Sequence, residues 1–324
     1  MSDEDSQSRG VPGPAFGALK AVVAGGLLVY VGYTVKSQWA AAGPVPFPSV
    51  GWLAASVATL ILYYAMILEN WRSVMAALGA RLARGAAFRI VFVANLAKFL
   101  PGGIWNLVGR VALCRAAGVP VAAATVSVVV ELTAQVAAMA AMAVVGWSGA
   151  VEPLLPFGRS AMLPLVGLVV AGTHPRMVNG VLATAERLTG RSFPRMEIRY
   201  RAMLGLLVRY MGAWAVLCVA FALFGRALGG AMAVGTFEAA LRHVGAISVS
   251  WLAGLLAFVV PGGLGVREVL LTKLLEGVHP VALAATLALA FRLALVMVEV
   301  AAFVAAIVLG GPVGVRLADG EGRR

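Results

Sequence analysis

The chain has 324 residues, of which 61% are apolar and only 12% charged. A soluble domain carries about a quarter charged residues, so this composition belongs in a bilayer; at roughly 20 apolar residues per crossing, the length allows about eight to ten passes and no soluble catalytic domain. The net charge of +12 is scattered between apolar runs, which excludes a basic nucleic-acid-binding domain and points instead to membrane topology.

The polar start, with Asp3, Glu4 and Asp5, predicts a disordered cytoplasmic tail over residues 1–15, followed by a single transmembrane domain over 16–310. The first span is expected at Phe16 to Val35, kept as a span because its flank is acidic where a signal peptide needs positive charge. After a turn through Pro44, Pro46 and Pro48, a second span runs from Val50 to Leu68 and ends in a polar segment with Arg72, Arg81, Arg84 and Arg89. Two apolar arms of about 15 residues follow, Ala86 to Leu100 and Ile104 to Gly118, hinged at Pro101, Gly102 and Gly103. Each reaches roughly 22 Å, short of a hydrocarbon core of about 30 Å, so a hairpin that enters and leaves by one face is expected.

Val121 to Gly146 forms a clear span, and Leu154 to Thr173 a weaker one broken by Pro156, Arg159 and Pro164. The segment from His174 to Arg201 is the most basic loop, with six arginines. Met203 to Gly225 spans again. Phe237 to Val260 leads into the second hinge, Pro261, Gly262 and Gly263 with Gly265 behind it, then a short arm to Gly277 and a last span from Val281 to Leu309. Residues 311–324 form a tail. The expected fold is an all-α polytopic membrane protein with six full spans and two re-entrant hairpins. Arginine counts put both termini in the cytoplasm: four over residues 70–89, six over 174–201 and three in the C-terminal tail.

The sequence repeats itself. The two Pro-Gly-Gly triplets lie 160 residues apart, each within an apolar arm, a following arginine (Arg110 or Arg267), a Gly-Val end and a long Ala-rich span. The repeats cover about 86–146 and 237–309. Three full spans between the hairpins make an odd number, so the two open to opposite sides. Inverted repeats with broken helices are a transporter architecture, and non-helical backbone at membrane depth has to line a cavity or sit within protein. The bland alternative, a plain turn between two short helices, stands beside that reading.

The run PGGLGVRE with its apolar arm and Gly-Val, together with the earlier PGG and downstream arginine, resembles the lysylphosphatidylglycerol synthase transmembrane family over roughly residues 15 to 310. The first motif departs from the family pattern in having Trp105 where glycine is frequent. The resemblance implies a flippase-like membrane domain of a prokaryotic inner membrane that moves aminoacylated, polyprenyl-linked or other anionic lipids. Its best-known members carry an aminoacyl-transferase domain after the membrane region; here any aminoacylation is expected from a separate lipid-modifying enzyme.

Charges inside spans are costly and face a cavity or a partner. The substrate-binding candidates are Arg110, Glu131, Arg267, Glu268, Arg292 and Glu299, with Asn95 and Lys98 on the arm before the first hinge. Arg110 and Arg267 suit bidentate phosphate binding, with snorkelling to headgroups as the alternative. Glu131 shares a face with Ser127 and Gln135 at spacing four and pairs with Arg110 or holds a cationic headgroup. Arg292 and Glu299, seven apart, face the second hairpin, where Glu268 and Arg267 respectively are the expected partners. For Lys98 and Asn95, solvation at a helix end is the commoner explanation.

Cys114 and Cys218 sit in apolar stretches as packing residues, the three histidines are too dispersed for a metal site, and no phosphate-binding loop occurs, so no cofactor, metal or catalysis is expected. The leading expectation is a lipid flippase or scramblase working downhill or on an ion gradient, with Glu131 or Glu299 as proton carrier. The alternatives are a secondary transporter of a small anionic solute and a noncatalytic subunit presenting lipid to an enzyme. Membrane lipids are the expected partners, no nucleic acid is, and a homo-oligomer fits the same reading.

Overall fold

The computed structural model describes residues 49–99, 104–146, 174–190, 199–228, 237–257, 265–276, 278–309 and 315–317, together with Pro164, Gly167, 171–172 and Gly263. The expected first span, most of the weaker span at 154–173, and the hinge residues Pro101, Gly102, Gly103, Pro261 and Gly262 lie outside the described residues.

Helix α1, Val50–Ala77, is 28 residues long, about 42 Å at 1.5 Å per residue. It continues nine residues past the apolar stop at Leu68 because its polar residues are used within the fold. Glu69 binds Arg72 at 2.5 Å and Arg84 at 2.9 Å, while Trp71, Val74 and Met75 are buried. Gly79, at φ +81°, turns the chain into strand β1, Ala80–Leu82. Strand β2, Val315–Leu317, comes from the expected C-terminal tail and pairs antiparallel with β1, Arg81 opposite Arg316. Arg72 also donates to the Leu82 carbonyl at 3.0 and 3.2 Å, so this end of α1 is tied to β1.

Helix α2, Arg84–Asn95, runs into a 3₁₀ turn at Leu96–Phe99, and α3, Trp105–Ala116, packs beside it. At 12 residues each, about 18 Å, both are too short to cross alone. The Gly-Val end of α3 is a Schellman stop. The Gly118 N–H donates to the Arg115 carbonyl and the Val119 N–H to the Cys114 carbonyl, both at 3.0 Å, with Gly118 at φ +86°. Pro120 then opens α4, Val121–Val145.

Within the basic stretch, which carries no 20-residue apolar run, α5 spans Pro175–Thr189. It is amphipathic: Val178 and Leu182, four residues apart, are buried on one face while Arg176 and Arg187 are exposed. A search for membrane-length apolar runs passes over such a helix. Helix α6, Tyr200–Ala227, lies antiparallel to α1 along its whole length. The Ser49 N–H donates to the Ala227 carbonyl at 2.7 Å, Ser56 Oγ to the Ala220 carbonyl at 2.8 Å, and Arg209 to Ser73 Oγ at 3.3 Å.

Helix α7, Phe237–Leu256, and the ten-residue α8, Val266–Leu275, flank the second hinge, and α9, Val281–Val308, closes the bundle. Among the described residues five helices are long and apolar enough to cross a membrane: α1, α4, α6, α7 and α9. Thus α7, expected as the first arm of a re-entrant hairpin, has the length and composition of a span, unlike α2.

The contacts sort the helix ends into two faces. One holds the C-terminal end of α1, the strands, the start of α2, the N-terminal part of α4, where Trp71 Nε1 donates to Ser127 Oγ at 3.2 Å, and the end of α9, where Ala306 joins Met75 and Ala80 in one cluster. The opposite face holds the end of α4, whose Gly146 touches the backbone of Gly245 in α7, and the ends of α1 and α6 where Trp52 stacks under Arg226. Consequently α2 starts and α3 ends towards the first face, while α7 starts and α8 ends towards the second. Tyr210, Trp214, Phe221 and Phe291 fill the core between α1, α4, α6 and α9.

Candidate functional site

The broken helix pairs, α1, α4, α6 and α9 enclose a cavity of about 350 Å³. Of the residues singled out in the sequence, Asn95, Lys98, Arg110, Glu131, Gly263, Arg267, Arg292 and Glu299 line it. Placing such charges at this depth needs partners, and three ion pairs supply them.

Arg110 on α3 pairs with Glu131 on α4, whose other carboxylate oxygen accepts from Gln135 Nε2 at 3.0 Å. The polar stripe of α4 therefore divides its work: Glu131 and Gln135 face the cavity, whereas Ser127 holds Trp71, and the Arg110 guanidinium lies 5.3 Å from the ring of that tryptophan. In the second repeat Arg292 Nε on α9 stands 3.7 Å from Glu268 Oε1 on α8. Each repeat thus links its short arm to the following span by a buried ion pair, with the signs exchanged. Glu268 Oε2 also accepts the Gly265 N–H at 2.7 Å, and this cap, with Gly265 at φ +82°, sets the start of α8. Glu268 is not among the cavity-lining residues; it holds Arg292 from behind.

The third pair departs from expectation. Glu299 is not joined to Arg267; it pairs with Lys98 and accepts the Tyr64 hydroxyl at 2.7 Å. Lys98 is accordingly no solvated helix end. The 3₁₀ turn after α2 carries it towards α9, a long-range relation that spacing on either helix alone does not contain.

Arg267 is left without a carboxylate. Among the described residues none lies within ion-pair distance of it, and its Nε has no hydrogen-bond partner. It stacks on Trp251, with 5.1 Å from guanidinium to ring. Its stem runs along bare backbone, since a Cβ added at Gly254 would stand 2.3 Å from Arg267 Cγ. Gly263 closes the same corner: at φ +67°, its added Cβ would stand 2.7 Å from the Gly254 carbonyl oxygen. Gly254 and Gly263 therefore form the floor that lets Arg267 project.

Sequence reasoning missed the aromatic and amide lining: Tyr63, Tyr64, Asn106, Trp214 and Trp251. The paired tyrosines halfway along an apolar span were the available signal. Among the described residues no cluster of three or more metal-ligating side chains occurs.

A helical chain whose described residues include five membrane-length helices around a charged interior cavity is a multi-pass membrane protein. The protein belongs to the family described as the lysylphosphatidylglycerol synthase TM region, whose profile matches residues 17–302. No curated protein and no solved structure matches the chain.

Proposed function

We propose that this protein is a lipid flippase or scramblase that passes an anionic or aminoacylated headgroup through the central cavity, without catalysing a reaction of its own. The observation that carries this is Arg267, a guanidinium with no carboxylate partner among the described residues, in a cavity surrounded by apolar helices. An unneutralised cation in low dielectric is costly, and an anionic ligand removes that cost. A cavity of about 350 Å³ suits a headgroup and is too small for two acyl chains, which stay in the bilayer. The two broken helix pairs act as inverted re-entrant hairpins, giving the cavity access from either face in turn. Membership of a membrane-lipid family agrees with this cargo.

The face carrying Arg81 and Arg316 is the cytoplasmic side of a prokaryotic plasma membrane, with both termini there. Single cysteines at Arg316 and Arg226 test this: an impermeant thiol reagent added to intact cells labels residue 226 and spares 316.

The function is tested by reconstituting the protein in vesicles with a fluorescent phosphatidylglycerol and adding an impermeant quencher. Quenching beyond the outer leaflet supports the reading. Uptake of a small organic anion with no movement of lipid would replace it with a solute transporter, and neither activity would leave a role in presenting lipid to an enzyme.

A further inference from the structure

Resting on that reading only for the side to which the second helix pair opens, we infer that the buried pair His243 and His279 is an acid-released latch on the outward-facing mouth. His243, 3% exposed, stands on the second turn of α7, and His279, 5% exposed, follows α8 in the link to α9. Their Nε2 atoms lie 2.9 Å apart. The contact therefore joins the two elements that part when this mouth opens.

Each ring is fixed from its own side. His243 Nδ1 donates to the Ala239 carbonyl at 2.6 Å, and the His279 N–H donates to the Leu275 carbonyl at the end of α8 at 2.9 Å. With Nδ1 of His243 already a donor, one proton between the two Nε2 atoms makes their contact a hydrogen bond. His279 Nδ1 takes the next proton from outside, which places a charge in a buried site. A second proton, on His243 Nε2, sets two N–H groups against each other, and the contact is lost.

The surroundings favour the neutral, closed form. Burial, and then the neighbouring ring, hold the His279 pKa below the ordinary histidine value. The carboxylates nearest in sequence are already engaged, Glu238 on α7 with Arg242 at 2.8 Å and Glu276 on α8 with Lys273 at 3.0 Å. From α6, Phe221 packs 6.1 Å from the His243 ring, and Arg226 lies over Trp52. Helix α4 carries no charge after Glu131, and α9 none before Arg292.

Only one mouth has the pair. The first repeat ends Gly118-Val119-Pro120 and the second Gly277-Val278-His279-Pro280, so His279 is the added residue, and Ala83 stands 160 residues before His243. Acid on the outer face thus acts on one mouth and shifts the protein towards its outward-open form.

Ser250, seven residues after His243 on the same face of α7 and four before Gly254, is fully buried, so a thiol there reports the parting of α7 from α8. Purified full-length protein with Cys114→Ala, Cys218→Ala and Ser250→Cys is treated in detergent with a sulfonated maleimide at pH 7.5 and pH 5.5. Each labelling rate is divided by that of the same protein with His279→Gln added, which cancels the pH dependence of the thiol. Glutamine keeps a donor for His243 and takes no proton. A solvated imidazole is about tenfold more protonated than neutral one unit below 6.5, so the ratio is expected near one at pH 7.5 and at least about threefold higher at pH 5.5. His243→Gln is expected to abolish the rise as well, and it serves as the divisor should His279→Gln fold poorly. A ratio that is the same at both pH values, or a rise that persists in His243→Gln, overturns the latch. Lipid movement in vesicles with no such rise refutes the latch and keeps the flippase, whereas an acid-dependent rise without lipid movement does the reverse.

Discussion

Lys98, on the turn before the first hinge, is ion-paired with Glu299 on the last helix, 201 residues later. This contact ties the first repeat to the second across the cavity, and Tyr64 of α1 adds a hydrogen bond to the same carboxylate oxygen. Glu299 is 5% exposed, so losing its cation strands a buried carboxylate. Lys98→Met should cost about 3 to 5 kcal/mol, and Lys98→Met combined with Glu299→Leu should recover most of that loss, because an apolar pair of similar bulk is tolerated where a lone charge is not. Thermal unfolding of the single and double variants in detergent measures the coupling. A single-variant loss below about 1 kcal/mol would mean that the pair behaves as a solvated surface bridge.

The two glycines under Arg267 separate displacement of a side chain from displacement of backbone. A Cβ at position 254 meets the flexible stem of Arg267, at 2.3 Å from Cγ and 2.4 Å from Nε, whereas one at position 263 meets the backbone of residue 254 and sits at φ +67°. Gly254→Ala is expected to fold, with lipid movement reduced and tryptophan fluorescence altered because the guanidinium leaves Trp251. Gly263→Ala is expected to destabilise by about 1 to 3 kcal/mol, since left-handed backbone in a residue with a Cβ is strained. Equal loss of stability in both variants would show that Arg267 is not free to move.

At the mouth of the second helix pair, His243 Nε2 and His279 Nε2 lie 2.9 Å apart. The Nδ1 of His243 is 2.6 Å from the Ala239 carbonyl, so it carries the proton there, and His279 is the donor between the rings. Burial, and then the neighbouring His243, hold the His279 pKa below the ordinary histidine value. The unfolded chain therefore binds this proton more tightly than the folded one, and the stabilisation is complete above the unfolded value of about 6.5 and is lost as the pH falls below it. The melting temperature should decline from pH 7 to pH 5, and His279→Gln, whose amide keeps a donor for His243, should flatten part of that decline. An unchanged pH profile in the variant would remove His279 as its source.

The ion pair Arg110 with Glu131 was legible in the sequence, because an arginine after a hinge and a polar stripe at spacing four are local patterns. So was Arg292 with Glu268, through the proximity of α8 and α9 in one repeat. Lys98 with Glu299 was not, since each residue belongs to a different repeat and the 3₁₀ turn that aims Lys98 leaves no periodic signal. Trp214 and Trp251 look like packing in any apolar run; only the position of the cavity between the helices, and the guanidinium laid on Trp251, mark them as lining. Helix α5 and strand β2 escaped for a simpler reason, being too polar or too short to register as spans.

Arg267 gives the sharpest test of the cavity. If its planar edge holds a phosphodiester through two hydrogen bonds, Arg267→Lys keeps the charge and loses the fork, so lipid movement should fall while folding is kept. Arg267→Ala should abolish movement. It should do so with little loss of stability, because among the described residues Arg267 has no carboxylate to strand: Glu268 is held by Arg292 and Gly265, and Glu299 by Lys98 and Tyr64. Removing an uncompensated buried cation can even raise the melting temperature. Transport in vesicles and thermal unfolding of the same preparations decide between the roles. Full movement in the lysine variant would reduce the residue to a point charge, and a large loss of stability in the alanine variant with normal transport by the folded fraction would make Arg267 a packing partner of Trp251 and nothing more.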